Sequence, residues 1–418
     1  MSSDRRLELW VGIAGIVEFR AKKENESMGT EEQIKAAEAK FGDLIRAELA
    51  RIETMKEDSE IKDFSKLDHI KIGILPGDGI GPIIMEQALR VVNELLKDEI
   101  ASGKVEIHII EGMTIERRSE LNESLPADVM EECKKCDVLV KGPFVTPRPG
   151  DPWPNLLSAN SLLRRGLNLF AAVRPIKMPD RNIDWTFFRE NIEGEYILGN
   201  KGIEVNEDLA IDFKVLTKPG AERIARAAFE FARKNGKKHV TVVTKANIVK
   251  LVDGNFVKTV HRIGEEEYPE IEVNDKLVDA TAAKMLDPEF NKDMEVVVLP
   301  NLYGDIVTDV AAEHQGGLGT ASSSNIGNKY ALFEAIHGTA PYLMSHGRGH
   351  YANPCSLIRA MGEMMAHIGY ADRKAILDKA LDITTVTEKK IVLTTETKDA
   401  STAEFTDYLI DTIKGLED

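Results

Sequence analysis

From His69 onward the chain alternates short apolar runs with amphipathic segments of helical period, and this alternation limits the fold more than any other feature. Residues 105–110, 137–140, 240–243 and 295–299 are rich in β-forming residues. Residues 218–234, 276–286 and 353–368 carry apolar side chains at three- and four-residue spacing. Runs apolar on both faces need cover on both faces, so the pattern predicts an α/β architecture with substantially buried sheets. A chain of 418 residues is long enough for two lobes. No internal repeat or low-complexity linker separates them, so they are expected to exchange chain more than once. Residues 204–215 break the rhythm, and two strands there would form an arm suited to a subunit contact.

Ahead of the alternation, Ile34, Ala37, Phe41, Leu44, Ile45, Leu49 and Ile52 form one apolar stripe on a highly charged helix. It suits docking on its own domain or on a second subunit. Residues 9–17 are apolar and follow Arg5 and Arg6, but charged residues rather than a cleavage site come after them. They are expected to lie on the body as a strand or short helix. No run reaches the length that crosses a bilayer.

The 70 acidic residues outnumber the 54 Lys and Arg, giving a net charge of −16. Such a surface repels nucleic acid and anionic membranes, while leaving room for a local anion-binding pocket. Three cysteines cannot make a disulfide framework, and a reducing cytoplasm is the expected home. Cys133 and Cys136 have redox-motif spacing, yet they end a helical segment with no second pair, which reads as coincidence.

Four stretches carry chemistry. Arg164, Arg174 and Arg189 end otherwise apolar runs in SANSLLRRGLNLFAAVRP and FRENIEGEY. Converging guanidiniums would clamp a small polycarboxylate, although the spacing equally allows three separate surface ion pairs. Since Arg165 adjoins Arg164, only one of them can face inward. In NLYGDIVTD, Asp305 and Asp309 fall on one helical face just after an apolar strand, where α/β proteins build sites. Two such carboxylates suit Mg²⁺ or Mn²⁺, or form a solvated face. Lys245 directly follows a strand and is a candidate base, or simply reaches solvent. Finally, residues 316–327 form a small-residue loop, and HGTAP and ANP follow it with His337 and Asn353 as groups able to read a base or ribose.

LPGDGIGP, between the apolar run 69–75 and the helical pattern 83–96, invites comparison with a dinucleotide loop. Gly77, Gly79 and Gly81 are spaced G-x-G-x-G, one residue short of the fingerprint, and Pro82 follows at once. Asp98 and Glu99 end a helix rather than a second strand, so this is a poor dinucleotide loop.

In order and spacing, LPGDGIGP, FRENIEGEY, NLYGDIVTD and HGTAP resemble the metal-dependent β-decarboxylating dehydrogenases. This family includes the isocitrate, 3-isopropylmalate and homoisocitrate dehydrogenases, and the resemblance runs from residue 69 to about 415. It implies the isocitrate/isopropylmalate dehydrogenase fold, two α/β lobes with a cleft between them and not a Rossmann fold. The implied division is an N-terminal extension (1–68), a large cofactor-binding domain (69–169 plus 316–418) and a small domain (170–315) with a dimer-forming arm near 196–216. LPGDGIGP becomes a tight turn lining the cleft near the nicotinamide.

The resemblance makes Arg164, Arg174 and Arg189 substrate-carboxylate ligands, Tyr196 and Lys245 catalytic, and Asp279, Asp305 and Asp309 metal ligands. Lys245 and Asp279 would act across a homodimer. His337, Gly338, Thr339, Ala340 and Asn353 match cofactor-binding positions. Ser158 and Asn160 precede Arg164 as in isocitrate enzymes, where a hydroxyl and an amide suit a carboxylate as leucines would suit an alkyl group. Isocitrate is therefore the expected substrate, with 3-isopropylmalate and homoisocitrate as alternatives. A non-catalytic regulatory subunit is a further reading, disfavoured because Tyr196, Lys245 and all three aspartates are present. Tyr342 and Leu343 stand where NADP enzymes carry Lys-Tyr, and Glu388 and Val392 occupy positions that hold a 2′-phosphate, so NAD is expected ahead of NADP. Arg348 and His350 are the residues that could supply charge for NADP.

Overall fold

The computed structural model describes residues 29–57, 62–148, 150–199, 201–317 and 321–417. The apolar segment 9–17 lies outside them. Helix α1 (Thr30–Glu57) leads to strand β1 (Ile70–Leu75), helix α2 (Gly81–Leu95), and strands β2 (Val105–Ile109) and β3 (Val138–Lys141). Helix α3 (Ala159–Gly166), β4 (Ala171–Met178), β5 (Ile183–Glu190), and the short strands β6 (Ile203–Asn206) and β7 (Leu209–Ile211) follow. Next come α4 (Lys218–Lys234), β8 (His239–Thr244), α5 (Val252–Glu267), β9 (Glu272–Leu277), α6 (Val278–Lys284), β10 (Val296–Leu299) and α7 (Asn301–Gln315). Strands β11 (Ser322–Ile326) and β12 (Ala331–Ala335) and helices α8 (Cys355–His367), α9 (Ala371–Asp382) and α10 (Thr402–Glu417) complete the order.

The main sheet runs β2-β1-β3-β12-β11-β4-β5-β10-β8-β9. Two parallel blocks, β2-β1-β3-β12 and β5-β10-β8-β9, are joined by antiparallel β11 and β4. Each block is covered on both faces. Residues of α2, α8, α9 and α10 pack one face of the first block, and Ile110, Cys133, Leu163 and Leu332 fill the other. The second block is covered by α4 and α5 on one face and on the other by α7, packed against Trp185 and Phe187 of β5. This double cover explains the nearly continuous apolar strands. The carboxyl ends of β5 and β10 open beside the antiparallel join, and the arginines and aspartates meet there.

Three sequence expectations need correction. The helix expected over 276–286 begins only at Val278, because Lys276 and Leu277 finish β9 against β8. The helix expected from residue 353 begins at Cys355. The supposed small-residue loop 316–327 contains β11, an internal strand buried along Ser322–Asn325. Serine-rich segments have weak strand preference, and here tertiary contact overrides it: Asn325 donates to Glu334 and to the Leu332 carbonyl, and accepts from Asn191.

Near the expected 204–215 arm two strands do form, as the antiparallel pair β6-β7. Helix α1 lies along it. Phe41 stacks on Phe213 at 5.1 Å, Lys40 donates to the Gly202 carbonyl, and Asn206 donates to Gln33. Leu44 packs toward the second block, whereas Ile34, Phe41, Ile45 and Leu49 keep substantial exposure. The cysteines are free and buried, and desolvation pushes the Cys133 and Cys136 thiols up to about 12 and about 11, so neither is a reactive thiolate. Among the described residues no helix is long and apolar enough to cross a membrane.

Candidate active site

Strand β10 ends at Leu299 and α7 starts two residues later, which projects Asp305 and Asp309 from one face of the helix. Arg189, at the end of β5, lies against the first turns of α7. A Cβ on Gly304 would come within 2.5 Å of the Arg189 side chain, so glycine permits this approach. Arg189 donates twice to Asn301 Oδ1, at 3.0 and 2.6 Å, and pairs with Asp305. Arg174, on neighbouring β4, donates to Asp309 at 3.1 Å and lies 3.6 Å from Asp305. Tyr196 Oη donates to the other Asp305 oxygen at 2.8 Å. Thus two arginines, two aspartates and the tyrosine occupy one place.

The electrostatics differ between the two carboxylates. Burial would raise Asp305, but Arg189, Arg174 and the Tyr196 hydroxyl outweigh it and hold the group below its ordinary value. Asp309 is pushed up, by burial and by Asp305, against the pull of Arg174. Burial and the Asp305 charge push Tyr196 up to about 12, so its hydroxyl keeps its proton at neutral pH.

Arg164, from α3, hydrogen-bonds at 3.1 Å to Glu334 instead of joining the aspartates, although its charge is felt by Asp305 and Tyr196. Glu334 also pairs with Lys141 at 2.6 Å. Burial opposes its charge, yet Lys141 and Arg164 hold it far below the usual carboxylate range. Neither Glu334 nor Lys141 was among the residues expected from sequence. They stand opposite each other on β12 and β3, and the signal was one charge in each of two otherwise apolar strands. Arg165 turns elsewhere, donating to the Ile197 carbonyl at 2.9 Å. Ser158 caps α3 by accepting from Ser161 N, and Asn160 Oδ1 is buried with no partner among the described residues.

Lys245 and Asp279 form a separate pair, 2.7 Å apart. The lysine is therefore held by a carboxylate rather than standing alone at a core's edge. Among the described residues no three Asp, Glu, His or Cys side chains converge as a metal site. Asp305 and Asp309 match a divalent cation in donor chemistry and fall short in number within one chain.

The LPGDGIGP turn is built by Asp78. Its carboxylate accepts from Ile115 N and Val145 N, both at 2.8 Å, and pairs at 2.8 Å with wholly buried Arg118. Ile80 N donates to the Thr339 carbonyl, which joins this turn to HGTAP. At Gly79 (φ +60°) a Cβ would lie 2.3 Å from that carbonyl oxygen, so the contact requires glycine. His337 lies in the same loop, with Nδ1 at 3.0 Å from the Gly338 carbonyl, and burial lowers its proton affinity. A neutral ring donating from Nδ1 leaves Nε2 as an acceptor, buried with no partner among the described residues. Gly338 is exposed, Ala340 adopts the left-handed conformation at φ +50°, and Asn353 Oδ1 accepts from Cys355 N at the start of α8. An orphaned acceptor in a loop fixed to a glycine turn suits the base of a dinucleotide.

A large mostly parallel sheet brings two arginines, two aspartates and a tyrosine together beside its strand ends, a charge arrangement that fits a small carboxylate ligand. The profile described as isocitrate/isopropylmalate dehydrogenase matches residues 71–410, and the chain belongs to that family. It is 33% identical to a homoisocitrate dehydrogenase of Methanocaldococcus jannaschii, covering 77% of this chain and 91% of that protein. It is 37% identical to a mitochondrial protein of Dictyostelium discoideum named as a regulatory subunit of NAD isocitrate dehydrogenase, covering 81% and 91%. The isocitrate dehydrogenase structure from Methylococcus capsulatus superposes with a TM-score of 0.72 at 33% identity, over 82% of this chain and 99% of that one. Members of the family use NAD or NADP with a divalent metal.

Proposed function

We propose that the chain catalyses oxidative decarboxylation of isocitrate to 2-oxoglutarate and CO₂, with NAD as hydride acceptor and Mg²⁺ or Mn²⁺ as metal. The observation that carries this reading is the gathering of Arg174, Arg189, Tyr196, Asp305 and Asp309 at the ends of β5 and β10. The arginines bond the same aspartates that would hold the cation. Substrate carboxylates would take over the guanidiniums, and Arg164 would add a third. Ser158 and Asn160, at the start of α3, supply polar groups for the carboxylate that distinguishes isocitrate from its alkyl relatives.

The side chains divide the remaining work. The arginines orient C2 and C3 of the substrate. Lys245 accepts the hydroxyl proton, and Tyr196, which holds its own proton at neutral pH, delivers one to C3 after CO₂ departs. Asp305 and Asp309, with Asp279 from a second copy of the chain, are the residues that would hold the cation. When bound, the cation supplies Lewis-acid stabilisation of charge on substrate oxygens and the nicotinamide accepts a hydride. The NAD assignment is supported by Arg348, which is paired with Glu396 at 2.7 Å, and by an acid at Glu388. All five candidate catalytic and metal residues are present, which favours a catalytic over a regulatory chain. Three buried free thiols suit a reducing compartment such as the cytoplasm.

The test is cofactor reduction with Mg²⁺ or Mn²⁺ on isocitrate, 3-isopropylmalate and homoisocitrate, with NAD and NADP in parallel. Isocitrate with NAD is the expected best pair. Turnover of either other acid without isocitrate would overturn the substrate assignment, and normal activity of Lys245→Met would overturn the assigned base.

A further inference from the structure

Helix α1 lies outside the region shared with the family, yet it reaches the back of the candidate site. Arg51 Nη2 donates at 2.8 Å to Glu193 Oε1, whose side chain is completely buried. The guanidinium is fixed on its own helix by Glu48 at 2.9 Å and Met55 Sδ at 3.1 Å. Thr217 completes the cradle of Glu193, donating from its backbone N at 2.8 Å and its hydroxyl at 2.7 Å. These two donors are neutral, whereas Arg51 brings a full positive charge to a carboxylate removed from water, the pairing such a group requires.

Glu193 lies between two of the site's residues in the chain. Arg189 precedes it by four positions and Tyr196 follows by three. The Glu193 carbonyl accepts from Asn301 Nδ2 at 3.0 Å, and Asn301 Oδ1 receives the two hydrogen bonds of Arg189. Next to it, Gly194 turns the chain at φ +78°, where a Cβ would crowd Asn301 at 3.2 Å. A continuous set of contacts therefore runs from Arg51 through Glu193 and Asn301 to Arg189 and the start of α7.

We propose that Arg51 is a positioning residue: by holding Glu193 it fixes Arg189 and Tyr196, so that turnover depends on the N-terminal helix. Its kinetic readout rests on the functional reading above. In the full-length protein, Arg51→Met is expected to lower kcat on the order of 10-fold or more, since small misplacement of reacting groups is costly. The KM for the dinucleotide, whose assigned HGTAP loop makes none of these contacts, should stay within about twofold. Arg51→Lys should restore most of the lost rate. Arg51→Met combined with Glu193→Gln should be no slower than Arg51→Met alone, because the two changes act through one contact. Hydrogen exchange on the ligand-free protein should show faster exchange over residues 190–196 in Arg51→Met, with helices α8 to α10 unchanged.

Wild-type kcat together with wild-type exchange in Arg51→Met would overturn the proposal. So would exchange raised throughout the chain, with kcat and dinucleotide binding lost together. A wild-type protein that leaves isocitrate unchanged refutes the substrate reading only; the exchange comparison, needing no substrate, still decides the role of Arg51.

Discussion

Tyr196 and Glu190 stand six residues apart, and burial raises the proton affinity of both. For the tyrosine the consequence is chemical. Held at about 12, it keeps a proton to deliver, and Tyr196→Phe should lower kcat by about 10²-fold or more while leaving the KM for isocitrate nearly unchanged. Steady-state kinetics on the folded variant checks this. For Glu190 the consequence is thermodynamic. Burial, with Glu193 nearby, pushes the carboxyl from 4.5 to about 8, against the pull of Arg223. Between those values the folded state binds more protons than the unfolded one, so this group's contribution is full below 4.5 and is lost as pH rises toward 8. Glu190→Gln cannot ionise, and its melting temperature relative to wild type should climb steadily from pH 5 to pH 8. A constant difference would refute the assignment. The aspartate pair could be read from its four-residue spacing. Glu334 could not be tied to Lys141 without knowing that β12 lies beside β3, nor to Arg164, which is 170 positions away on α3.

Elements were legible where burial imposed a period, and less so where neighbours made the structure. The apolar strands β1, β3, β8 and β10 and the amphipathic α4 follow from pattern alone. Strand β11 does not, since its serines gain strand structure from β4 and β12 on either side. The glycine turn is an intermediate case. Its spacing argued against a dinucleotide loop, and the close approach that actually demands Gly79 involves Thr339, 260 residues on. Gly79→Ala forces a positive φ and a collision with a backbone oxygen, and should destabilise the fold by about 1–3 kcal/mol. It should also raise the KM for the dinucleotide more than that for isocitrate, because the displaced partner is the loop bearing His337. Denaturant unfolding and paired KM measurements check both parts.

At the scale of the whole molecule, the proposed function assigns Lys245 and Asp279 to the site of a second copy, and within one chain they pair with each other while Asp305 and Asp309 pair with the arginines. Exposed apolar side chains lie along the same segments: Leu209 and Ile211 on the arm, and Ile248 and Leu251 just after Lys245, the last 74% exposed. No periodicity could show which chain completes which site, since strand and helix patterns describe one chain at a time. Complementation can. A protein carrying Lys245→Met and another carrying Asp309→Asn should each be nearly inactive alone. If each site takes its lysine from the partner, a mixed dimer has one site with both groups intact and one with neither. Random exchange of equal amounts should then restore about one quarter of wild-type activity, half the dimers being mixed and each having one working site. If both groups served the same chain, every site in the mixture would lack one of them, and mixing would restore nothing.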